Sequence, residues 1–343
     1  MDQDKIRDID ELENRLSAPT AGVLEAMARL DGDLVVLGVA GKMGPTLARM
    51  ARRASDMVGG RRRVIGVARF GDGAVEGRLR SHGVETARAD LLDEDSLARL
   101  PDAPNVVFMA GRKFGTTGQE AATWAMNAYL PGLVCRRYRS SRIVAFSTGN
   151  VYGPVPIDSG GSRESDEAAP QGEYAMSCLG RERLFEHFGR SLDIPTALIR
   201  LNYAAEPRYG VLVDIAERVR DGLPIDLTVG RFNVIWQGDA NAMALQTFDR
   251  VATPPAILNV TGPEILRVRE VAEAFGRQLG RPAQFVGDEG PKALLSDAGR
   301  AFLLFGPPTV GVERLIGWVA GWVARGGPTL GKPTHFQASD GRF

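Results

Sequence analysis

Apolar positions along this chain follow two rhythms that alternate. Ile9, Leu12 and Leu16, then Val23, Ala26, Met27 and Leu30, recur at three- and four-residue spacing, which predicts two helices separated by a break at Ser17–Thr20. Leu34–Leu37 is a continuous apolar run of the kind buried in a parallel sheet. The two signals then repeat. A helix is expected from Met43 to about Ala54, a strand over Val64–Val67, a helix over Ala74–Ser81 and a short strand at Val84–Ala87. Strand Asn105–Met109, a long helix from about Glu120 to Tyr138 and strand Arg142–Ser147 follow. A helix carrying Tyr174 runs to about Arg190 and leads into strand Thr196–Leu201. Parallel neighbours need crossovers, so units of this length predict an α/β fold with a doubly wound parallel sheet.

Beyond Asn202 the pattern loosens. Helices are expected at Val211–Asp221, from Asp239, and at Val268–Leu279, with an extended segment Ile225–Trp236 and a strand Ala256–Val260. The stretch Gly326–Phe343 is rich in Gly, Pro and Thr and reads as an irregular arm. No internal repeat is visible.

Composition removes several classes of function. Forty-two acidic and 42 basic residues cancel, leaving no global field to recruit nucleic acid or an anionic membrane. Two cysteines and three scattered histidines offer neither a disulfide framework nor a metal site. No apolar run reaches the ~18 residues a membrane span needs, and the acidic N-terminus is unlike a signal peptide. A soluble, cytoplasmic protein without a structural metal is expected.

The candidate chemistry starts at Gly38-Val-Ala-Gly41-Lys-Met-Gly44, which follows a predicted strand and opens a predicted helix. Gly38 permits a tight turn, Gly41 lets a pyrophosphate approach backbone N–H groups at the helix N-terminus, and Gly44 lets helix and strand pack closely. A glycine-rich turn without a ligand is the plain alternative. The second strand ends at Ala68-Arg69, where an acid would hold the ribose hydroxyls of NAD; Arg69 favours the 2′-phosphate of NADP instead, or stacks on adenine.

Further along stand Phe108-Met-Ala-Gly-Arg-Lys113, Trp-Ala-Met-Asn127, Phe146-Ser-Thr-Gly-Asn-Val-Tyr-Gly153, Glu173-Tyr-Ala-Met-Ser-Cys178 and Arg200-Leu-Asn202-Tyr. With the glycine turn, these segments resemble the NAD(P)-dependent epimerase/dehydratase branch of the extended short-chain dehydrogenases, over roughly residues 33 to 325. The resemblance implies Tyr174 as acid/base and Thr148 as the hydroxyl that polarises the substrate oxygen, with Ser147 secondary. It implies cofactor contacts at Gly38, Gly41, Lys42, Met43, Gly44, Arg69, Asp90, Leu91, Ala110, Gly111, Lys113, Asn127 and Tyr174. Asp90 reads equally well as a helix N-cap. Substrate contacts are expected from Gly115, Thr116, Thr117, Asn150, Asn202, Arg208, Tyr209 and Gln237.

The helix that carries Tyr174 departs from the family at one position. The family pattern reads Tyr-x-x-x-Lys, and Cys178 stands where the lysine belongs. That lysine lowers the tyrosine pKa; a phenol at its reference pKa of about 10 is ionised only about one part in a thousand at neutral pH. Lys113 and Arg181 are the cations left to compensate. Cys178 reads as a small space-filler, with a nucleophile as the alternative. The arginine that meets the diphosphate in nucleotide-sugar enzymes should fall at Phe232, and Arg231 is one place off, so a sugar or sugar acid is favoured over a nucleotide sugar.

The expected organisation is a helical extension over 1–32, a dinucleotide-binding Rossmann domain over 33–201, a substrate-binding part over 202–325 interleaved with it, and the arm over 326–343. The expected function is an NADP- or NAD-dependent oxidoreductase or epimerase acting on a hydroxyl or keto carbon of a carbohydrate, as a homodimer. The rival is a non-catalytic dinucleotide-binding sensor or assembly protein.

Overall fold

The computed structural model describes residues 5–71, 73–113, 118–332 and 334–337. Seven strands form the central sheet: β1 (Leu34–Leu37), β2 (Val64–Ala68), β3 (Glu85–Arg88), β4 (Asn105–Phe108), β5 (Arg142–Thr148), β6 (Thr196–Leu201) and β7 (Ala256–Val260). Their order is β7-β6-β5-β4-β1-β2-β3, and every neighbouring pair is parallel. Both faces are covered, which is why β1, β4 and most of β5 read as unbroken apolar runs. Val36, Val107, Val144 and Ile199 pack on one face, and Val35, Leu37, Val106, Phe108 and Leu198 on the other, with the period of two that strands impose. Strand order reverses between β1 and β4, so the chain leaves their carboxyl ends in opposite directions and opens a crevice there.

The first helices are built into this body. Asp8 caps Ile9–Leu16 and Thr20 caps Ala21–Arg29. Val23, Met27 and Leu30 join the sheet core, while Leu12 and Leu16 join the second core. That second core is built by helices Val211–Asp221, Val268–Leu279 and Val312–Ala324. The last of these was not legible in the sequence, because Gly317 and Gly321 dilute its apolar spacing and weaken its helix propensity. The expected extended segment Ile225–Trp236 is broken into three two-residue strands, each paired with a different partner.

The long helix predicted over 120–138 is interrupted. Ala125–Tyr129 forms a π-helical turn between helices Glu120–Trp124 and Leu130–Arg137, and Asn127 lies at its centre. Such turns are frequent at functional sites. The C-terminal arm is irregular but held down. Leu330 N donates to Arg208 O at 2.9 Å, Thr334 binds Asp214 through its N–H and hydroxyl at 2.8 and 2.5 Å, and Phe336 is buried against Phe232. Among the described residues, no helix is long and apolar enough to cross a membrane.

Candidate active site

The three glycines after β1 do different work. Gly38 has φ +84°, and a Cβ there would lie 2.6 Å from Ala110 N, so the backbone just after strand β4 leaves room only for hydrogen. A Cβ on Gly44 would lie 2.2 Å from Val39 O, which locks helix Gly44–Met57 against its own turn. Gly41 is different: the nearest atom to a Cβ is Gly38 O at 3.4 Å, and beyond it the space is open. The helix has no side-chain cap at Met43, so its first N–H groups face that space without a side-chain acceptor.

Two cavities meet over this turn and share Gly38, Gly41, Met109 and Gly111 in their walls. One, of about 280 Å³, is lined by Arg69, Asp90, Leu91 and Ala110. The other, of about 340 Å³, is lined by Lys42, Met43, Gly44, Lys113, Ser147, Thr148, Asn150, Tyr174, Asn202, Tyr209 and Gln237 among others. The structure therefore brings most of the sequence-derived candidates together in one crevice.

Thr148 ends β5. Its hydroxyl donates to Asn150 Oδ1 at 2.9 Å and accepts from Asn150 N at 3.2 Å. Tyr174, third residue of helix Gly172–Leu192, lies within hydrogen-bonding reach of Thr148. Burial pushes its phenol well above the ordinary value near 10, Cys178 adds to the rise, and Arg181 and Thr148 pull it back. Cys178 does not line the cavity. It is packed with Val151, Tyr152, Tyr174 and Leu179, and burial raises its thiol, so it fills space and offers no thiolate.

Arg181 stands two helical turns after Tyr174, on the same face. Its guanidinium lines the cavity and donates to Phe146 O at 2.7 Å, Asn127 Oδ1 at 2.9 Å and Asn127 O at 3.3 Å, all neutral acceptors. The neighbouring Glu182 does not neutralise it. That carboxylate accepts from Arg200 at 2.7 Å and from Ser147 Oγ at 2.5 Å. A positive charge therefore remains near Tyr174, supplied from further along the helix than the lysine position. Gly111 makes room for it, since a Cβ there would lie 2.6 Å from Arg181 Nη2. Lys113 is the second cation: its Nζ lies 5.9 Å from the Tyr174 ring centre, and burial lowers it to about 8.

Several expected contacts are placed elsewhere. Asn127 lines neither cavity; its amide clamps Arg112, Ser177 and Arg181 together. Ser147 lines the cavity but its hydroxyl is committed to Glu182. Arg208 is not in the cavity wall: it is paired with Glu206 at 2.9 Å, two residues before it, and with Glu13 at 3.1 Å, whose proximity no sequence spacing announces. Gly115, Thr116 and Thr117 lie outside the described residues. Conversely, Arg112, Tyr203, Lys332 and Thr334 line the cavity without having been singled out. Tyr203 holds φ +46°, a conformation that costs a bulky residue about 1–3 kcal/mol and recurs at functional sites.

Residues 34–228 match the model of the NAD dependent epimerase/dehydratase family. No curated protein matches the sequence. Among solved structures, the fold is similar to dTDP-glucose 4,6-dehydratase from Bacillus anthracis in complex with NAD (14% identity, 86% of this chain and 97% of that one, TM-score 0.72). It is similar to UDP-glucose 4-epimerase with UDP-glucose from Thermotoga maritima (16%, 86% and 99%, 0.71). It is similar also to the Thermus thermophilus UDP-glucose 4-epimerase complex with NAD (21%, 86% and 99%, 0.69).

Proposed function

Because this chain belongs to the NAD dependent epimerase/dehydratase family, an enzyme family, we propose that it oxidises, reduces or epimerises a hydroxyl-bearing carbon of a carbohydrate, with Tyr174 as acid/base. The observation that carries this is the convergence of Thr148, Tyr174 and an acid-free Arg181 on the cavity that the glycine turn opens.

The crevice fits a nicotinamide dinucleotide. Gly41 leaves a space that any side chain would enter, and the uncapped helix N-terminus behind it favours a diphosphate. Arg69, Asp90 and Leu91 would hold the adenosine end. When bound, the cofactor supplies a hydride acceptor or donor. The chain's own residues do the rest. Thr148 hydrogen-bonds the reacting oxygen, Tyr174 takes or returns its proton, and Arg181 stabilises the phenolate while Asn127 fixes its guanidinium. Selection of NADP over NAD rests on Arg69, which is exposed and 3.9 Å from the Asp90 carboxylate, an ion pair that a 2′-phosphate would compete for.

A sugar or sugar acid is favoured over a nucleotide sugar. Phe232 is buried and Arg231 is held by Glu289 at 2.7 Å, so this segment supplies no arginine to the cavity wall for the diphosphate of a nucleotide sugar. Two buried free thiols, Cys135 and Cys178, support a reducing, cytoplasmic setting. A homodimer is supported by exposed Trp124, Tyr129 and Met176, which share the surface of the helices bearing Asn127 and Tyr174.

The test is a panel of sugars, sugar acids and nucleotide sugars with NAD or NADP, read by nicotinamide absorbance and by chromatography for products formed without net redox change. Turnover that Tyr174→Phe abolishes supports the proposal. Cofactor binding without turnover of any member would favour the non-catalytic rival.

A further inference from the structure

Two carboxamides in the wall of the larger cavity have their orientation settled by what lies behind them. Asn202, just after β6, and Gln237, first residue of helix Gln237–Gln246, are 3% and 1% exposed, and both line the cavity. An amide has two ends of opposite polarity, and its partners decide which end a ligand meets.

Both amide hydrogens of Asn202 are committed to the protein. Its Nδ2 donates to Asn233 Oδ1 at 3.0 Å and to Leu294 O at 3.2 Å. Asn233 is itself fixed, because its Nδ2 donates to Ser296 O at 2.8 Å and its Oδ1 accepts from Ser296 N at 3.3 Å. The Asn202 amide therefore faces two acceptor oxygens, which only its N–H end can satisfy. Gln237 is held by a different device. Its Nε2 donates to Thr46 Oγ1 at 3.2 Å, and Asn241 Nδ2 donates to the same oxygen at 3.1 Å. Thr46 gives its one hydroxyl hydrogen to Met43 O at 3.1 Å, so its oxygen can only accept. Asn233 and Thr46 lie behind the wall, not in it. The side-chain carbonyl oxygens of Asn202 and Gln237 have no protein partner among the described residues.

We propose that these two carbonyl oxygens accept hydrogen bonds from two hydroxyls of the substrate, other than the reacting one. Asn233 and Thr46 are the positioning residues that set the polarity of each amide. The inference rests on the carbohydrate reading above and narrows it to a sugar with free hydroxyls at both contacts. A buried acceptor left unmet keeps its desolvation cost, so an analogue lacking the donor is rejected. A carboxylate or phosphate oxygen in the same place would set acceptor against acceptor. The cofactor's ribose hydroxyls are donors of the same chemistry, and NAD affinity measured beside sugar affinity separates the two sources.

The experiment is calorimetric titration of the full chain, saturated with NAD, with D-glucose, D-galactose and D-mannose, then with the monodeoxyfluoro derivatives of the tightest binder. Fluorine replaces a hydroxyl at similar size and cannot donate. In wild type, fluorination at each of two positions should weaken binding about tenfold or more. Gln237→Met should bring the parent sugar down to its fluoro derivative at one position and Asn202→Leu at the other, with NAD affinity unchanged. Thr46→Val lets the Gln237 amide turn, so it should shrink the Gln237 penalty alone, and Thr46→Ser should restore it. A role of Thr46 in the fold alone would weaken all the sugars alike. Asn233→Ala makes the same test of Asn202 where Asn202→Leu does not fold. Fluoro derivatives bound like the parent sugar, or penalties that persist in both variants, overturn the proposal and leave the carbohydrate reading intact. Loss of NAD affinity with the sugar penalties unchanged overturns it by assigning the amides to the cofactor. No binding of any of the three sugars to the NAD-loaded chain removes the carbohydrate reading and the proposal with it.

Discussion

Gly41 and Gly44 are three residues apart, yet their replacement by alanine should fail in opposite ways. At Gly44 the new methyl would be 2.2 Å from Val39 O and 2.7 Å from its carbonyl carbon. Both are backbone atoms, so no side chain can rotate away and the turn must move, at an overpacking cost of about 1–3 kcal/mol. At Gly41 the nearest atom is at 3.4 Å, φ is not positive and the residue is exposed. The fold should register at most about 0.5 kcal/mol, a shift in Tm of roughly 1–2 °C. The methyl instead occupies the approach to the helix N-terminus. Loss of one charge-assisted hydrogen bond to the diphosphate, about 1.5–3 kcal/mol, weakens the dinucleotide roughly ten- to a hundredfold. Differential scanning fluorimetry and a cofactor titration on the two variants separate the effects. Gly41→Ala binding NAD like wild type, or melting as early as Gly44→Ala, would refute the assignment of Gly41 to ligand approach.

Three other expectations follow from the charges and the surface. Arg181→Met leaves Phe146 O and Asn127 without their guanidinium donors, at a cost on the order of 3 kcal/mol, and moves the pH–rate profile upward because the Tyr174 phenol loses a charge that lowers it; Arg181→Lys should recover part of the shift, and a profile that does not move would remove Arg181 from catalysis. Lys42, facing Lys113, Lys332, Asp214 and the Tyr209 ring, is held down to about 6, chiefly by burial. The diphosphate of a bound dinucleotide raises it, so cofactor binding should take up a proton above pH 6 and cease to do so as pH falls below 6, read as a calorimetric enthalpy that depends on the buffer; a buffer-independent enthalpy at pH 7.5 contradicts this. Met176→Glu with Tyr129→Glu puts carboxylates into the proposed dimer face, and sedimentation at micromolar concentration should then show monomer where wild type shows dimer; two monomers, or two dimers, would rule that face out.

The sheet was legible because burial on both faces leaves apolar runs that no other element of that length produces. The edge strand β3, half exposed as Glu85-Thr-Ala-Arg88, was the one displaced by a residue. The glycine turn and Tyr174 were legible because each is a local pattern attached to a predicted element. Arg181 was named only as a possible helper because the family pattern fixes attention four residues after the tyrosine, while a longer side chain reaches the site from the following turn. Arg208, expected to contact substrate, is paired outside the cavity wall with Glu206, two residues before it, and with Glu13, which only folding brings near. Lys332 had no signal at all: it belongs to an aperiodic arm, and the residue that fixes its neighbour, Asp214, is 120 positions from Thr334.

Arg208 joins distant parts of the chain at one point. Its guanidinium holds Glu13 in the first helix, and its carbonyl accepts from Leu330, which leads to Lys332. A selection for altered substrate preference should therefore recover substitutions at Glu13, 195 positions from Arg208 and outside the cavity wall, alongside changes in the pocket itself. Random libraries confined to cavity-lining positions would miss that lever, and homologues that differ only in their first helix would be expected to drift in specificity while keeping the same catalytic residues.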